Sequence, residues 1–174
     1  MIQRMIRASA LDPMLFEEVE HDSSLDREAF LVVLLSSVAY GLGNIFVVGI
    51  IGILYISIAA VCGYLLWSFL TFIIGTTLLK TPETHATYGQ LRRTIGFANA
   101  PGCLRLLAFL PGIGDMLVLG SYVWMLMTTV VAVKQALDFQ SVWRAIAVCL
   151  SGWLIQIIII IILKGFGIGM FAGG

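Results

Sequence analysis

Long apolar runs, separated by short polar segments, are the dominant pattern of the chain. Charged side chains are absent between Ala29 and Leu79, and two more uncharged runs follow in the second half. A transmembrane helix needs about 20 apolar residues, since each residue adds about 1.5 Å towards a hydrocarbon core about 30 Å thick. The pattern therefore predicts an all-α membrane protein with regular spans at 27–49, 53–79, 116–133 and 145–163.

A further span is predicted at 95–110, inside the stretch "TIGFANAPGCLRLLAFLPGIGD". A continuous helix between Arg93 and Pro111 is about 26 Å long, slightly shorter than the hydrocarbon core. Pro101 is expected to begin a second helical piece after "IGFANA", because its ring clashes with the preceding turn of a helix interior. Irregular backbone at membrane depth is tolerated only inside protein or beside water. We therefore expect this third of five spans to lie inside the bundle.

Arg105 is the charged residue of this interrupted span. Inserting an arginine at the centre of a membrane helix costs about 2.5–3.5 kcal/mol on insertion scales, so the guanidinium needs acceptors. Carbonyl groups near Pro101 are possible acceptors, and the candidate buried polar site consists of Asn99, Pro101, Arg105, Asp115, Asn44 and Gln156. Three roles remain open for this arginine: a structural role at an interface or in an internal clamp, binding or conduction of an anionic ligand such as a lipid headgroup, and catalysis.

Composition supports the membrane assignment and narrows the function. Hydrophobic residues make up 60% of the chain and charged residues 11%, whereas a soluble domain carries about 25% charged residues. The net charge is zero, so a nucleic-acid partner is not indicated. The sequence lacks the spacing motifs of serine hydrolases, zinc proteases and phosphate-binding loops, so we expect neither enzyme activity nor a cofactor. Cys62, Cys103 and Cys149 lie in apolar segments and are expected to act as small hydrophobic residues.

Residues 1–28 are predicted to form an amphipathic and acidic N-terminal segment. A short interfacial helix is expected around Ile2 and Ile6, which share one helical face. Asp12 followed by Pro13 is typical of the cap and first position of a second helix. The pattern from Ser23 to the acidic residue three positions later is typical of the start of the first span.

An acidic cluster near the end of this segment is a candidate docking surface for a partner; it comprises Glu17, Glu18, Glu20, His21 and Asp22. The spacing of Glu18 and His21 matches one ligand pair of a di-iron site. Such a site needs two pairs and further carboxylates, so no metal is expected.

The chain is thus divided into the N-terminal segment 1–28, a five-span domain 29–165 and a glycine-rich tail 166–174. Positive charge in short loops marks the cytoplasmic side. With five spans, one side holds all the loop cations except Lys164: Arg4, Arg7, Arg27, Lys80, Arg92, Arg93, Lys134 and Arg144. If the segment 95–110 entered and left the membrane on the same side, the positive charges would be divided less unequally between the two sides of the membrane. We therefore expect a cytoplasmic N-terminus and an outer C-terminus.

Several stretches resemble the Yip family of Ypt/Rab-interacting membrane proteins. They are "GFANAPG" leading into "LRLLAFLPG", then "YVWML", "VAVKQAL" and "SVWRAIAV". The resemblance covers roughly residues 5–165, and the short N-terminus with "DPMLFEEVEH" looks like the prokaryotic branch. It implies a cytoplasmic N-terminal segment followed by five closely spaced spans, here in a bacterial inner membrane. Eukaryotic members bind prenylated Rab GTPases, but the chain lacks their "DLYGP"-type motif, so Rab binding is not carried over.

The expected function is that of a non-enzymatic membrane scaffold, which organises membrane lipids or partner membrane proteins, including copies of itself. Small residues at four-residue spacing, such as Ser37 with Gly41 and Ala59 with Gly63, favour close helix packing. One alternative is a small transporter or channel with its polar site at the broken third span. Another is an accessory subunit of a larger membrane complex, which the isoleucine-rich fifth span would contact.

Overall fold

The computed structural model describes the backbone of residues 1–171 and the side chains of residues 1–159, 161 and 162. Within that part the regular secondary structure is all helical, and there is no strand. Seven α-helices follow one another, with a π-helical turn Ile74–Leu78 after the fourth and a 3-10 helix Ala100–Phe109 after the fifth. Their bounds are α1 Ile2–Ser9, α2 Pro13–His21, α3 Asp26–Gly43, α4 Ile45–Ile73, α5 Tyr88–Ala98, α6 Gly114–Ala136 and α7 Val142–Phe171.

In the described part of the chain, three helical stretches are long and apolar enough to cross a membrane: Ile45–Leu78, Gly114–Ala136 and Val142–Ile159. They correspond to the second, fourth and fifth predicted spans. The first predicted span is now the 18-residue helix α3, which carries Asp26, Arg27 and Glu28 in its first turn. The third is divided between α5 and the 3-10 helix. An integral membrane protein is therefore supported, while the number five stays a prediction.

The helix starts follow local capping chemistry. Asp12 accepts a hydrogen bond from the Met14 backbone N–H at 3.0 Å, and Pro13 takes the first position of α2, as the sequence predicted. Near α3 the cap differs from the prediction. Asp22, rather than Ser23, accepts from a backbone N–H, that of Ser24 at 2.9 Å, because a single 3-10 turn, Ser23–Leu25, precedes the helix.

The turn between the first two long helices lies earlier than the predicted interval 49–53. Helix α3 ends at Gly43, and the next helical turn begins at Ile45. Gly49 then interrupts that helix with φ +66° and ψ 177°, a backbone conformation that only glycine adopts without strain. Gly41 faces Ile53 across the turn so closely that an added Cβ would lie 3.0 Å from the Ile53 side chain. The glycines therefore permit a tight reversal.

The N-terminal segment packs into the bundle instead of standing apart from it. Leu15, Phe16 and Val19 on α2 are fully buried in one cluster with Phe97 of α5 and Ala132 of α6. The loops near residues 17–28, 80–93 and 134–144 lie together, and we call this the polar end. The opposite end, where residues 43–52 and 110–115 reverse the chain, is called the far end. Helix α7 extends through residue 171, so part of the predicted tail 166–174 is helical, and residues 172–174 lie outside the described residues.

Candidate functional site

The break in the third predicted span is stabilised by Asn99. Its side-chain amide donates to the Ile95 carbonyl at 2.8 Å, and its own carbonyl accepts from the Gly102 N–H at 3.0 Å. Pro101 follows in the first turn of the 3-10 helix, a position where the backbone needs no N–H donor. The prediction that Pro101 begins a second helical piece is confirmed. These two residues have structural roles at the break, since the hydrogen bonds of Asn99, including that of its backbone N–H with the Gly96 carbonyl, are all local.

The 3-10 conformation changes the length of the segment. A 3-10 helix rises about 2.0 Å per residue, so ten residues cover about 20 Å instead of the 15 Å of an α-helix. The segment 94–110 thus becomes about 5 Å longer than the sequence estimate, which brings it close to the thickness of a hydrocarbon core. The backbone also runs in close contact with its neighbours. A Cβ on Gly43 would lie 2.2 Å from the Arg105 carbonyl oxygen, and one on Gly114 would lie 2.1 Å from that of Ala108.

Arg105 is buried among polar groups of α3 and of its own segment. Its side chain is 8% exposed. Nε donates to the Gly102 carbonyl at 3.0 Å, while Nη2 donates to the Ser36 carbonyl at 3.2 Å and to Ser36 Oγ at 2.6 Å. The predicted acceptor near Pro101 is therefore present, in the form of the Gly102 carbonyl. Ser36 was not among the predicted partners.

Two tyrosines complete the surroundings of this cation. The guanidinium carbon of Arg105 lies 5.2 Å from the ring centroid of Tyr40 on α3 and 5.2 Å from that of Tyr122 on α6. A guanidinium within about 6 Å of an aromatic face is attracted by the ring quadrupole, by about 2 kcal/mol or more when water is excluded. We call Ser36, Tyr40, Gly102, Arg105 and Tyr122 the Arg105 cage. It joins α3, the 3-10 helix and α6.

The other predicted members of the polar site lie elsewhere. Asn44 is at the far end, near the cage, but its amide donates to the Tyr40 carbonyl at 2.9 Å and not to a ligand position. Asp115 is exposed on the first turn of α6 and makes no ion pair with Arg105. Gln156 on α7 faces Gly63 of α4. The structure therefore brings Asn99, Pro101 and Arg105 into one segment and leaves Asp115 and Gln156 outside it. The partners of Arg105 that the sequence analysis missed, Ser36 and Tyr40, are four residues apart. This spacing places both polar side chains on one face of α3 and was the sequence signal that could have indicated them.

A second buried arginine, Arg93, fixes the N-terminal segment to the bundle. Its Nε donates to the Val19 carbonyl at 3.0 Å, Nη2 donates to the Glu20 carbonyl, and Nη1 donates to Asp26 Oδ1 at 3.3 Å. The two carbonyls belong to the last turn of α2, where helix acceptors have no intrahelical partner. Arg93 therefore caps α2 from α5, a role that sequence reasoning missed.

The acidic cluster is only partly available to a partner. Glu18 accepts from Arg4 at 2.9 Å and from Arg7 at 2.7 Å, and these hydrogen bonds, led by that from Arg4, hold the pKa of its carboxyl below the usual value. Glu17, His21 and Asp22 are exposed. The Glu17 carbonyl beside His21 raises the pKa of that imidazole.

Glu20 departs from the exposed surface expected of this cluster, since it is 5% exposed. It faces inwards because α2 packs its Val19–Glu20 side against α5, where Gln90 Nε2 donates to Glu20 Oε1 at 3.1 Å. Burial, aided by the nearby Asp138, raises the pKa of this carboxyl to about 7. Among the described residues, no group of three or more His, Cys, Asp or Glu side chains comes together as a metal site.

In the described part of the chain, an all-helical bundle with three stretches long and apolar enough to cross a membrane indicates an integral membrane protein. The sequence model of the Yip1 domain family matches residues 12–163. The chain therefore belongs to the Yip1 domain family. Searches of curated proteins and of solved structures found no match.

Proposed function

We propose that this Yip-type protein is a non-enzymatic scaffold that gathers membrane lipids or membrane-protein partners around its helices. The observation that carries the proposal is the unusual exposure of α4. Only 6% of its most hydrophobic stretch is buried, against 28% for α6 and 22% for the described part of α7. Phe46, Val47, Ile50 and Ile51 are each 78% exposed or more. A large contiguous apolar surface of this kind is typical of contact with lipid or with another membrane helix.

The proposal includes a five-span arrangement in a bacterial inner membrane, of the prokaryotic branch of the family, with the N-terminus in the cytoplasm and the C-terminus outside. Two features support it. The lengthening of the third span by the 3-10 helix makes a full crossing sterically reasonable. The polar end holds the loop cations, apart from Lys164, which is the arrangement expected of a cytoplasmic face. Expected partners are lipids, other membrane proteins or further copies of the chain, without nucleic acid and without Rab binding.

Site-specific photo-crosslinking in membranes tests the scaffold proposal. A photoreactive residue placed at Leu54, 64% exposed on α4, should give adducts with lipid or with a discrete membrane protein or second copy. The matched control is Ser57, three residues further on the same helix and 6% exposed, which should give adducts only within the chain. Equal labelling at the two positions, or intramolecular adducts alone at Leu54, would contradict the proposal.

Two further measurements distinguish the scaffold from a transporter and from an accessory subunit. Purified protein in sealed liposomes should not move solutes; flux that disappears in Arg105→Leu while the fold persists would replace the scaffold by a transporter. Blue-native migration of the full chain in mild detergent should show a small oligomer. Migration with a large host assembly would instead indicate an accessory subunit.

A further inference from the structure

The positive charge of Arg105 has no counter-charge in the described part of the chain. The ion pairs there all belong to the polar end, where they involve the N-terminal amine, Arg4, Arg7, Arg92 and Arg93. Asp115 is the one acidic residue that follows the far-end turn closely in sequence, and it is exposed and unpaired with Arg105. The side chains outside the described part include no Asp or Glu. A buried charge without a partner is costly, so an anion from outside would stabilise this site.

The cage also has donors left over. Nε and Nη2 of Arg105 use their hydrogens on Gly102 and Ser36, whereas the two N–H groups of Nη1 donate to no described residue. The buried polar side-chain atoms without a partner in the described part are Ser57 Oγ and Trp67 Nε1. Nη1 is not among these fully buried atoms, so part of this nitrogen is exposed, although the arginine as a whole is more than nine-tenths buried.

The tyrosine hydroxyls of the cage are further hydrogen-bond donors without an acceptor in the described part of the chain. The hydroxyls of Tyr40 and Tyr122 make no hydrogen bond with the described residues, and both rings stack against the guanidinium. Tyr40 is half-buried and Tyr122 is 47% exposed. A guanidinium flanked by two tyrosines whose hydroxyls have no partner among the described residues is suited to phosphate oxygens, because charge-assisted hydrogen bonds to a phosphate are short and strong.

The position of the cage favours a lipid over a free ion. Tyr40 lies three residues before the end of α3, about 5 Å from the far end along the helix axis. Headgroup and interfacial layers add about 5–8 Å on each side of the hydrocarbon core. With the far end at the membrane surface, as the five-span arrangement proposes, this depth is near the glycerol and phosphate of a lipid. Around Tyr122 the surface of α6 is apolar, with Leu119 66% exposed and Val123 53% exposed. Acyl chains match that surface, whereas a hydrated inorganic ion does not.

We propose that Arg105, Tyr40 and Tyr122 bind the phosphate of an anionic phospholipid at the far end of the bundle. The inference deepens the proposed scaffold function, on which it rests, by naming the class of lipid and the place that holds it. The lipid phosphate supplies the missing negative charge to Nη1, the two phenols donate to its remaining oxygens, and the acyl chains lie along α6.

Native mass spectrometry of the full chain in detergent tests this directly, with phosphatidylglycerol, phosphatidylcholine of the same acyl chains, and inorganic phosphate as probes. Wild-type protein should bind phosphatidylglycerol at least about fivefold more tightly than phosphatidylcholine, since only the former offers uncompensated negative charge. The double variant Tyr40→Phe/Tyr122→Phe keeps both rings and should lose about tenfold in affinity for phosphatidylglycerol through two lost hydrogen bonds. Tyr55→Phe, on the exposed face of α4, is the matched control and should bind as the wild type does.

Equal binding of the two lipids, or full binding by the double phenylalanine variant, would overturn the inference. Inorganic phosphate that displaces phosphatidylglycerol at millimolar concentration would overturn the lipid assignment in favour of a free anion. The Leu54 crosslink lies on α4, away from the cage, so the two proposals can fail separately. If the crosslink forms but lipid selectivity is lost, the scaffold proposal stands and the lipid site falls. If selectivity is intact but the crosslink is absent, the lipid site stands and the scaffold proposal falls.

Discussion

Nη2 of Arg105 lies 2.6 Å from Oγ of Ser36, and this hydrogen bond joins the interrupted third span to the middle of α3. The same nitrogen reaches the Ser36 carbonyl at 3.2 Å. Both acceptors are neutral, so the contact satisfies the donors of Nη2 without cancelling the charge of the guanidinium. It also helps to accommodate a broken helix with an arginine, because two of the three guanidinium nitrogens donate to protein acceptors.

Ser36→Ala should destabilise the protein by about 1–2 kcal/mol, because it removes the side-chain acceptor of a buried cation while leaving the carbonyl in place. Unfolding in detergent with increasing sodium dodecyl sulfate measures the loss. Ser37→Ala is the matched control, since Ser37 is equally buried but donates only within its own helix, to the Leu34 carbonyl at 2.8 Å. Similar losses in the two variants would contradict a special role for Ser36.

Gly102→Ala should be more damaging than an ordinary glycine substitution. Its Cβ would lie 2.1 Å from Ser36 Oγ and 2.6 Å from Arg105 Nη2, so the cage must open to admit it. We expect a loss of about 1–3 kcal/mol from this overpacking, measured by the same unfolding experiment. Gly120→Ala on α6 meets no atom within 4 Å and should be neutral or slightly stabilising. A stable Gly102→Ala protein would show that the cage is looser than described.

Much of the helical framework was predictable because it depends on local chemistry. Asp12 with Pro13 marks the start of α2, and Pro101 marks the break, through backbone restrictions that act within a few residues. The Arg105 cage depends instead on which helices pack together. Ser36 and Arg105 are 69 positions apart in sequence, and the spacing of Ser36 and Tyr40 on one helix face does not say which segment packs against that face. The capping box of Thr87 and Gln90 at the start of α5 was local and was nevertheless overlooked.

The N-terminal segment illustrates the same limit. Its acidic residues predicted a solvated surface, yet Val19 and Glu20 face the bundle because Arg93, from a distant helix, caps the carbonyls of α2. Sequence periodicity places residues on a helix face but does not say which neighbour covers that face. Burial of Glu20 is therefore a tertiary effect.

Stability should fall as pH rises through the range that Glu20 controls. Its pKa is about 7 in the folded protein, above the ordinary value of 4.5. Between these two values the folded state retains a proton that the unfolded state has released, so raising the pH favours unfolding. The loss should total about 1–3 kcal/mol by pH 7 and level off above it. Thermal unfolding between pH 5 and 8.5 measures it.

Glu20→Gln is the control for this pH dependence, because its amide oxygen can still accept from Gln90. The variant should match the wild type near pH 5 and be more stable at pH 8. An unchanged pH profile in the variant would assign the effect to another group, such as His21.

Arg93→Ala should loosen the N-terminal segment from the bundle. It leaves the Val19 and Glu20 carbonyls without their buried donor, which costs about 1–3 kcal/mol for such groups. We expect amide hydrogen exchange in residues 13–21 to become about 10–100-fold faster, with α6 little changed. Arg92→Ala removes a partly exposed ion pair with Asp26 and should have an effect below about 1 kcal/mol. Uniform acceleration across all helices would contradict a local clamp.

The most direct test of the account is the side of the membrane on which each end of the third span lies. In a chain whose native cysteines are replaced, single cysteines at Glu83, near the polar end, and at Ile113, 52% exposed at the far end, can be labelled with an impermeant maleimide in intact cells. We predict labelling of Ile113→Cys from outside, and of Glu83→Cys only after the membrane is opened. Labelling of both positions from the same side would show that 95–110 does not cross, and would contradict a membrane-spanning segment fastened by Arg105 to α3.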